Sequence, residues 1–193
     1  MKVSDEIFGY TLGDVFDYRL DNNFIPDKII YQYKESGDLF RTYCIKPLKP
    51  SFYDFDMYIL TVNTSLDNKI GSIEATKELK TQKSYDKETG IIFGRVSEHL
   101  KDKCTKKGYQ FTIGDSVGFL FVSKHYLNRF YRLNFNDRTK SIDFSFADYT
   151  IMKKNYKDNY GLLQAPVTER KYIMIDKGKE KVIKKLEDIP VAQ

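Results

Sequence analysis

Histidine and cysteine carry most metal binding and nucleophilic catalysis, and this chain has two of each: His99, His125, Cys44 and Cys104. His99 and Cys104 stand five positions apart in a helical stretch, about 500° of rotation, so they point in different directions. No HxxxH, CxxC or HExxH spacing occurs, so neither a metal nor another cofactor is expected. No GxSxG elbow is present either. Cys104 with His99 or His125 is arithmetically a nucleophile and base, but Cys104 falls on an apolar helix face, where a thiol is inert. Cys44 and Cys104 have two readings, one disulfide in an exported protein or two buried thiols in a cytosolic one.

Among carboxylates, Asp54 and Asp56 are the natural acid–base pair, because positions i and i+2 share one face of a strand. They also read as the solvated face of a strand whose other side carries Phe55 and Met57. Gly9 and Gly13 do not form a phosphate loop, since Asp14 and Asp17 follow them and would repel the anion. The segment Lys124 to Arg132 interleaves bases with aromatics, the pattern of an RNA-binding surface. Its candidate binding residues are Tyr126, Arg129, Tyr131 and Arg132. It reads more simply as a loop entering an amphipathic strand. The charge balance argues against a dedicated nucleic-acid binder: 32 bases are mixed with 27 acids for a net charge of +5, and Lys greatly outnumbers Arg.

These residues need elements to position them, and the composition favours sheet. Fourteen Phe and fifteen Tyr stand against five Pro in 193 residues. Strand patterns run over 29–33, 40–46, 55–64 and 70–76, which together suggest an antiparallel meander. Further strands are expected at 109–113, 117–123, 130–136 and 142–146. The spacing of Ile92, Val96, Leu100 and Cys104, with Phe93 beside them, predicts one long helix over 84–107. Ser84 is its expected N-cap and Gly108 its closing residue. A short second helix is expected over 148–160, from Tyr149, Met152, Tyr156 and Tyr160. The fold class is therefore α+β, a mainly antiparallel sheet packed by one long helix. Residues 1–165 form one domain. Residues 166–193 form an appendage, with an edge hairpin around the Asp176-Lys177-Gly178 turn. No apolar run approaches a membrane span. Tyr10-Thr11-Leu12-Gly13-Asp14 and Phe111-Thr112-Ile113-Gly114-Asp115 share a pattern that reads as two strand ends with the same turn chemistry.

The FGYTLGD opening, Pro47 and Pro50, and the stretch FDMYILTVNTSLDNKIGSIEAT resemble a group of small, uncharacterised bacterial α+β proteins, across roughly residues 7–163. That resemblance implies a β meander with a helix, assigns no activity, and tilts the expected location toward the periplasm. Met1 to Glu6 show no secretory signal, so the chain reads either as cytosolic or as a mature exported form. The expected function is non-enzymatic binding, with another protein as partner and an immunity-type or periplasmic protein-binding factor as the concrete form. The alternatives are a hydrolase using Asp54, Asp56 or a histidine, and a weak nucleic-acid binder through residues 124–132.

Overall fold

A computed structural model describes residues 6–26, 30–35, 38–46, 59–64, 67–126, 128–152 and 167–183. Twelve strands and one helix lie among them. The short β1 (Glu6–Ile7) and β2 (Tyr10–Thr11) pair with each other. Then come β3 (Ile30–Glu35), β4 (Asp38–Ile45), β5 (Ile59–Thr64) and β6 (Ile70–Glu78). The helix α1 (Gln82–Leu100) leads to β7 (Cys104–Ile113), β8 (Ser116–Ser123), β9 (Arg129–Asn136) and β10 (Ser141–Asp148). The hairpin of β11 (Val167–Asp176) and β12 (Lys179–Ile183) ends the series.

Ten strands form one antiparallel sheet in the order β12-β11-β3-β4-β5-β6-β10-β9-β8-β7. Two meanders meet at the β6–β10 pair. The helix explains this order. At about 1.5 Å per residue its 19 residues reach about 28 Å, enough to carry the chain from β6 over three strand positions to the far edge. From β7 the chain then folds back strand by strand until β10 closes on β6. The final hairpin extends the opposite edge through β11 on β3.

One face of the sheet holds the core. Ile73 and Ala75, then Ile142, Phe144 and Phe146, then Tyr131, Leu133 and Phe135 are buried in cross-strand rows. The helix covers these rows with Tyr85, Ile92, Val96 and Leu100. The N-terminal segment covers the same face farther along, burying Phe8, Tyr10, Leu12 and Phe16 beside Tyr43 and Ile45. Polar residues alternate onto the opposite face. There Asp143 accepts from Thr76 Oγ1 at 2.8 Å and from Asn134 Nδ2 at 3.4 Å. A second apolar group of Leu120, Phe130 and Tyr149 also packs on that side.

The helix departs from the expected 84–107 at both ends. It starts after Thr81, which is the N-cap, and Ser84 is the third residue of a reciprocal capping box. It stops at Leu100, where residues 101–103 turn back on it: the Lys101 N–H donates to Glu98 O and the Lys103 N–H to Leu100 O, and Lys124 from the β8–β9 loop bonds the carbonyls of the turn itself. Lys124 Nζ lies 3.1 Å from the Asp102 carbonyl and 3.4 Å from that of Lys101, and its backbone N–H donates to Lys103 O at 2.9 Å. Cys104 continues the every-fourth-residue apolar pattern but opens β7, and Gly108 lies within that strand. The expected second helix is not found in its described part. Residues through Asp148 are strand and 149–152 form a turn, while 153–160 lie outside the described residues.

Candidate functional site

The basic–aromatic segment is taken apart by strand alternation. Tyr131 points into the core and stacks on Phe146 at 4.2 Å and 11° between ring planes. Arg132, one residue on, lies on the other face and is half-buried. Tyr126 and Arg129 do come together, with the guanidinium 4.3 Å from the Tyr126 ring centre. Arg129 Nε also donates to Asp148 Oδ2 at 3.0 Å. Asp148 is buried and accepts from Asn128 Nδ2 at 2.7 Å and from the Thr150 N–H at 2.9 Å. This network ties the β8–β9 loop to the turn after β10. It spends the Arg129 guanidinium on internal structure.

The other candidate residues are dispersed. Cys44 lies on β4 and Cys104 at the start of β7, six strands apart in the sheet order, and they are not bonded to each other. Burial pushes the Cys104 thiol up to about 12, against the opposing charges of Lys124 and Lys103. His99 sits half-buried with Lys103 Nζ 2.8 Å from its Nε2. Burial first, and then the Lys103 charge, lower it to about 4. His125 is exposed. Asp54 and Asp56 lie outside the described residues. Among the described residues no group of three His, Cys, Asp or Glu side chains converges as a metal site.

A concavity does form where the sequence suggests only turns. Phe8 and Gly9 link β1 to β2 in a two-residue loop, both with positive φ (57° and 90°). A bulky residue in that region stores strain, and the burial of the Phe8 ring offsets it. Gly13, at φ 92°, turns the chain onto the sheet. Its N–H donates to Ile70 O at 2.8 Å, the Ile70 N–H donates back to Asp14 O at 2.8 Å, and the Phe16 N–H donates to Asn68 O at 2.8 Å. Asp21 then folds the loop inward, accepting from Tyr10 OH at 3.0 Å and from the Asn23 N–H at 2.7 Å. Burial first, then the Asp21 charge and hydrogen bond, raise the Tyr10 phenol far above its ordinary range.

The result is a cleft of about 340 Å³, with Asp14, Asp17 and Asp21 alongside Tyr10, Val15, Phe16 and Leu20. Val15 is 71% exposed and Leu20 81% exposed. Three aspartates thus line a recess in a chain of net charge +5, Asp21 bonded to Tyr10 and Asn23 and Asp17 beside Arg19. The spacing of Asp14, Asp17 and Asp21 was visible in the sequence. That they surround one cleft depends on the backbone bonds to residues 68–70, far off in the chain. Compared with known proteins, the chain matches no family model, no curated protein and no solved structure.

Proposed function

We propose that the chain is a non-enzymatic binding protein that recognises another protein through the N-terminal cleft. The observation that carries this reading is the rim. Val15 and Leu20 stand in water beside the aspartates, Val15 on backbone pinned by the bonds of residues 13–16 to residues 68–70, and Leu20 in a turn closed by its N–H on Asp17 O at 3.0 Å. Large apolar side chains displayed on ordered backbone lose little entropy when covered, and nearby carboxylates select the partner's charge. The surface suits a partner that presents lysine or arginine beside an apolar side chain.

The test is capture from a lysate of the source organism at high salt, comparing the tagged wild-type chain with Val15→Ser/Leu20→Ser. A partner held by wild type and lost by the variant, with an unchanged melting temperature, is the expected result. Equal capture by both, or none by wild type, sinks the assignment.

A further inference from the structure

Three neighbouring strands inside the sheet set one polar row on the face away from the helix. Ser145 on β10 lies opposite Glu74 on β6 and opposite Arg132 on β9. At about 4.8 Å per strand step, the two charged residues start about 10 Å apart with the serine between them. Ser145 is 9% exposed and forms the floor, while Glu74 and Arg132 stand half-buried at its sides and reach solvent. The next row spends its polar atoms internally, since Asp143 accepts from Thr76 and Asn134. This row keeps its capacity. Among the described residues nothing bonds the Arg132 guanidinium or the Ser145 hydroxyl, and Glu74 takes one hydrogen bond, from Ser72 Oγ at 3.3 Å. Arg41 and Arg129, also half-buried, each hold a carboxylate of this chain. Arg132 holds none, although Glu74 stands across the row. Burial raises the Tyr149 phenol, Arg132 opposes the rise and Glu74 adds to it, so both charges lie within reach of that one hydroxyl. A half-buried guanidinium has lost water without gaining an acceptor, and an arriving carboxylate offers it two.

We propose that this row binds a small ammonium carboxylate, the chemistry of a free amino acid. Arg132 forks the carboxylate, the Ser145 hydroxyl donates to it from beneath, and Glu74 takes the ammonium. A simple anion leaves Glu74 unpaired beside it, and a simple cation leaves Arg132 so. A ligand with both charges satisfies both sides of the row at once. The three side chains stand on strands locked in register on both sides of β10, so the site is built before the ligand arrives. It lies on the face of the sheet opposite the N-terminal segment, apart from the protein-binding cleft.

The test is amide chemical-shift titration of the full chain with five probes. Glycine, β-alanine and γ-aminobutyrate step the two charges apart, and acetate and methylammonium carry one charge each. At least one ammonium carboxylate is expected to shift residues 74, 132 and 145 saturably and to bind about tenfold tighter than either single-charge probe. Glu74→Gln should weaken that ligand about tenfold and leave acetate binding unchanged. Arg132→Lys keeps the charge, loses the fork and should weaken both. The Arg132 guanidinium bonds nothing in the fold, so its melting temperature should stay put. No saturable shift from any of the three ammonium carboxylates overturns the proposal, and the wild-type chain alone decides that. So does acetate binding as tightly as they do, or an affinity that survives both substitutions.

Discussion

His99 is neutral in the folded protein at any pH above about 4, where its burial and the adjacent Lys103 have moved it from an ordinary 6.5. The consequence for stability has a definite sign. Between those two values the unfolded chain binds the proton and the folded chain does not. Stability is therefore complete above pH 6.5 and falls as the pH drops toward 4. Denaturant midpoints measured from pH 7 to 4.5 should decline, and His99→Gln should flatten the decline. An unchanged slope in the variant would mean that other groups set the acid sensitivity. Glu180 adds its own loss lower down, because its carboxyl is held below the ordinary value by the Arg41 hydrogen bond. In the sequence, helical rotation only sets His99 apart from Cys104. Its loss of charge comes from neighbours that only folding supplies.

At the scale of elements, α1 is held by its buried stripe. Leu100 is fully buried at its end, beside Cys104. Leu100→Asp puts an unpaired carboxylate there, so a loss of at least about 3 kcal/mol is expected, read as a large drop in melting temperature. An unchanged melting temperature would show that the helix turns another side to the sheet. Two glycines mark close approaches that propensity alone would not demand. The Phe111 ring lies over Gly118, directly across the β7–β8 pair, where a Cβ would overlap it. Met152 closes likewise over Gly71. The two aromatic-Thr-aliphatic-Gly-Asp segments are indeed turn chemistry. Both glycines have positive φ, 92° at Gly13 and 54° at Gly114, each just past the end of a strand or hairpin.

Across the described residues as a whole, one side-chain network joins the N-terminal segment to β12. Arg41 on β4 grips Glu180 on β12 with two hydrogen bonds, 2.8 and 3.1 Å, and its Nε donates to Gln32 on β3 at 2.9 Å. Tyr18 of the N-terminal segment donates to the same carboxylate at 3.0 Å and stacks on Tyr43. Burial alone would lower the Arg41 guanidinium, but the bonds to Glu180 and Tyr43 outweigh it and raise it above its usual value. A bidentate charged pair at a half-buried site holds the last hairpin against the sheet. Glu180→Gln should cost about 1–2 kcal/mol and speed amide exchange in β11 and β12 more than in β9 or β10. Uniform acceleration across the sheet would contradict a local clamp.

Local alternation and helical spacing were enough to place most strands and the helix. Tyr131, Leu133 and Phe135 alternate as β9 does, and Ile92, Val96 and Leu100 form the buried stripe of α1. These patterns are legible because the side-chain period of an element is local. The helix end was not legible, since the turn over 101–103 that replaces its continuation is held by Lys124, which comes from another loop. The segment 124–132 looked like one surface in the sequence. Its strand geometry sends Tyr131 inward and Arg132 outward, while Asp148, 19 residues away, takes Arg129. The cleft follows the same logic. The sequence by itself determined the elements, their polar and apolar faces and the turn glycines. Only the tertiary structure decided which carboxylates gather at one recess and which strand is left at an edge, because both depend on pairings between residues far apart in the chain.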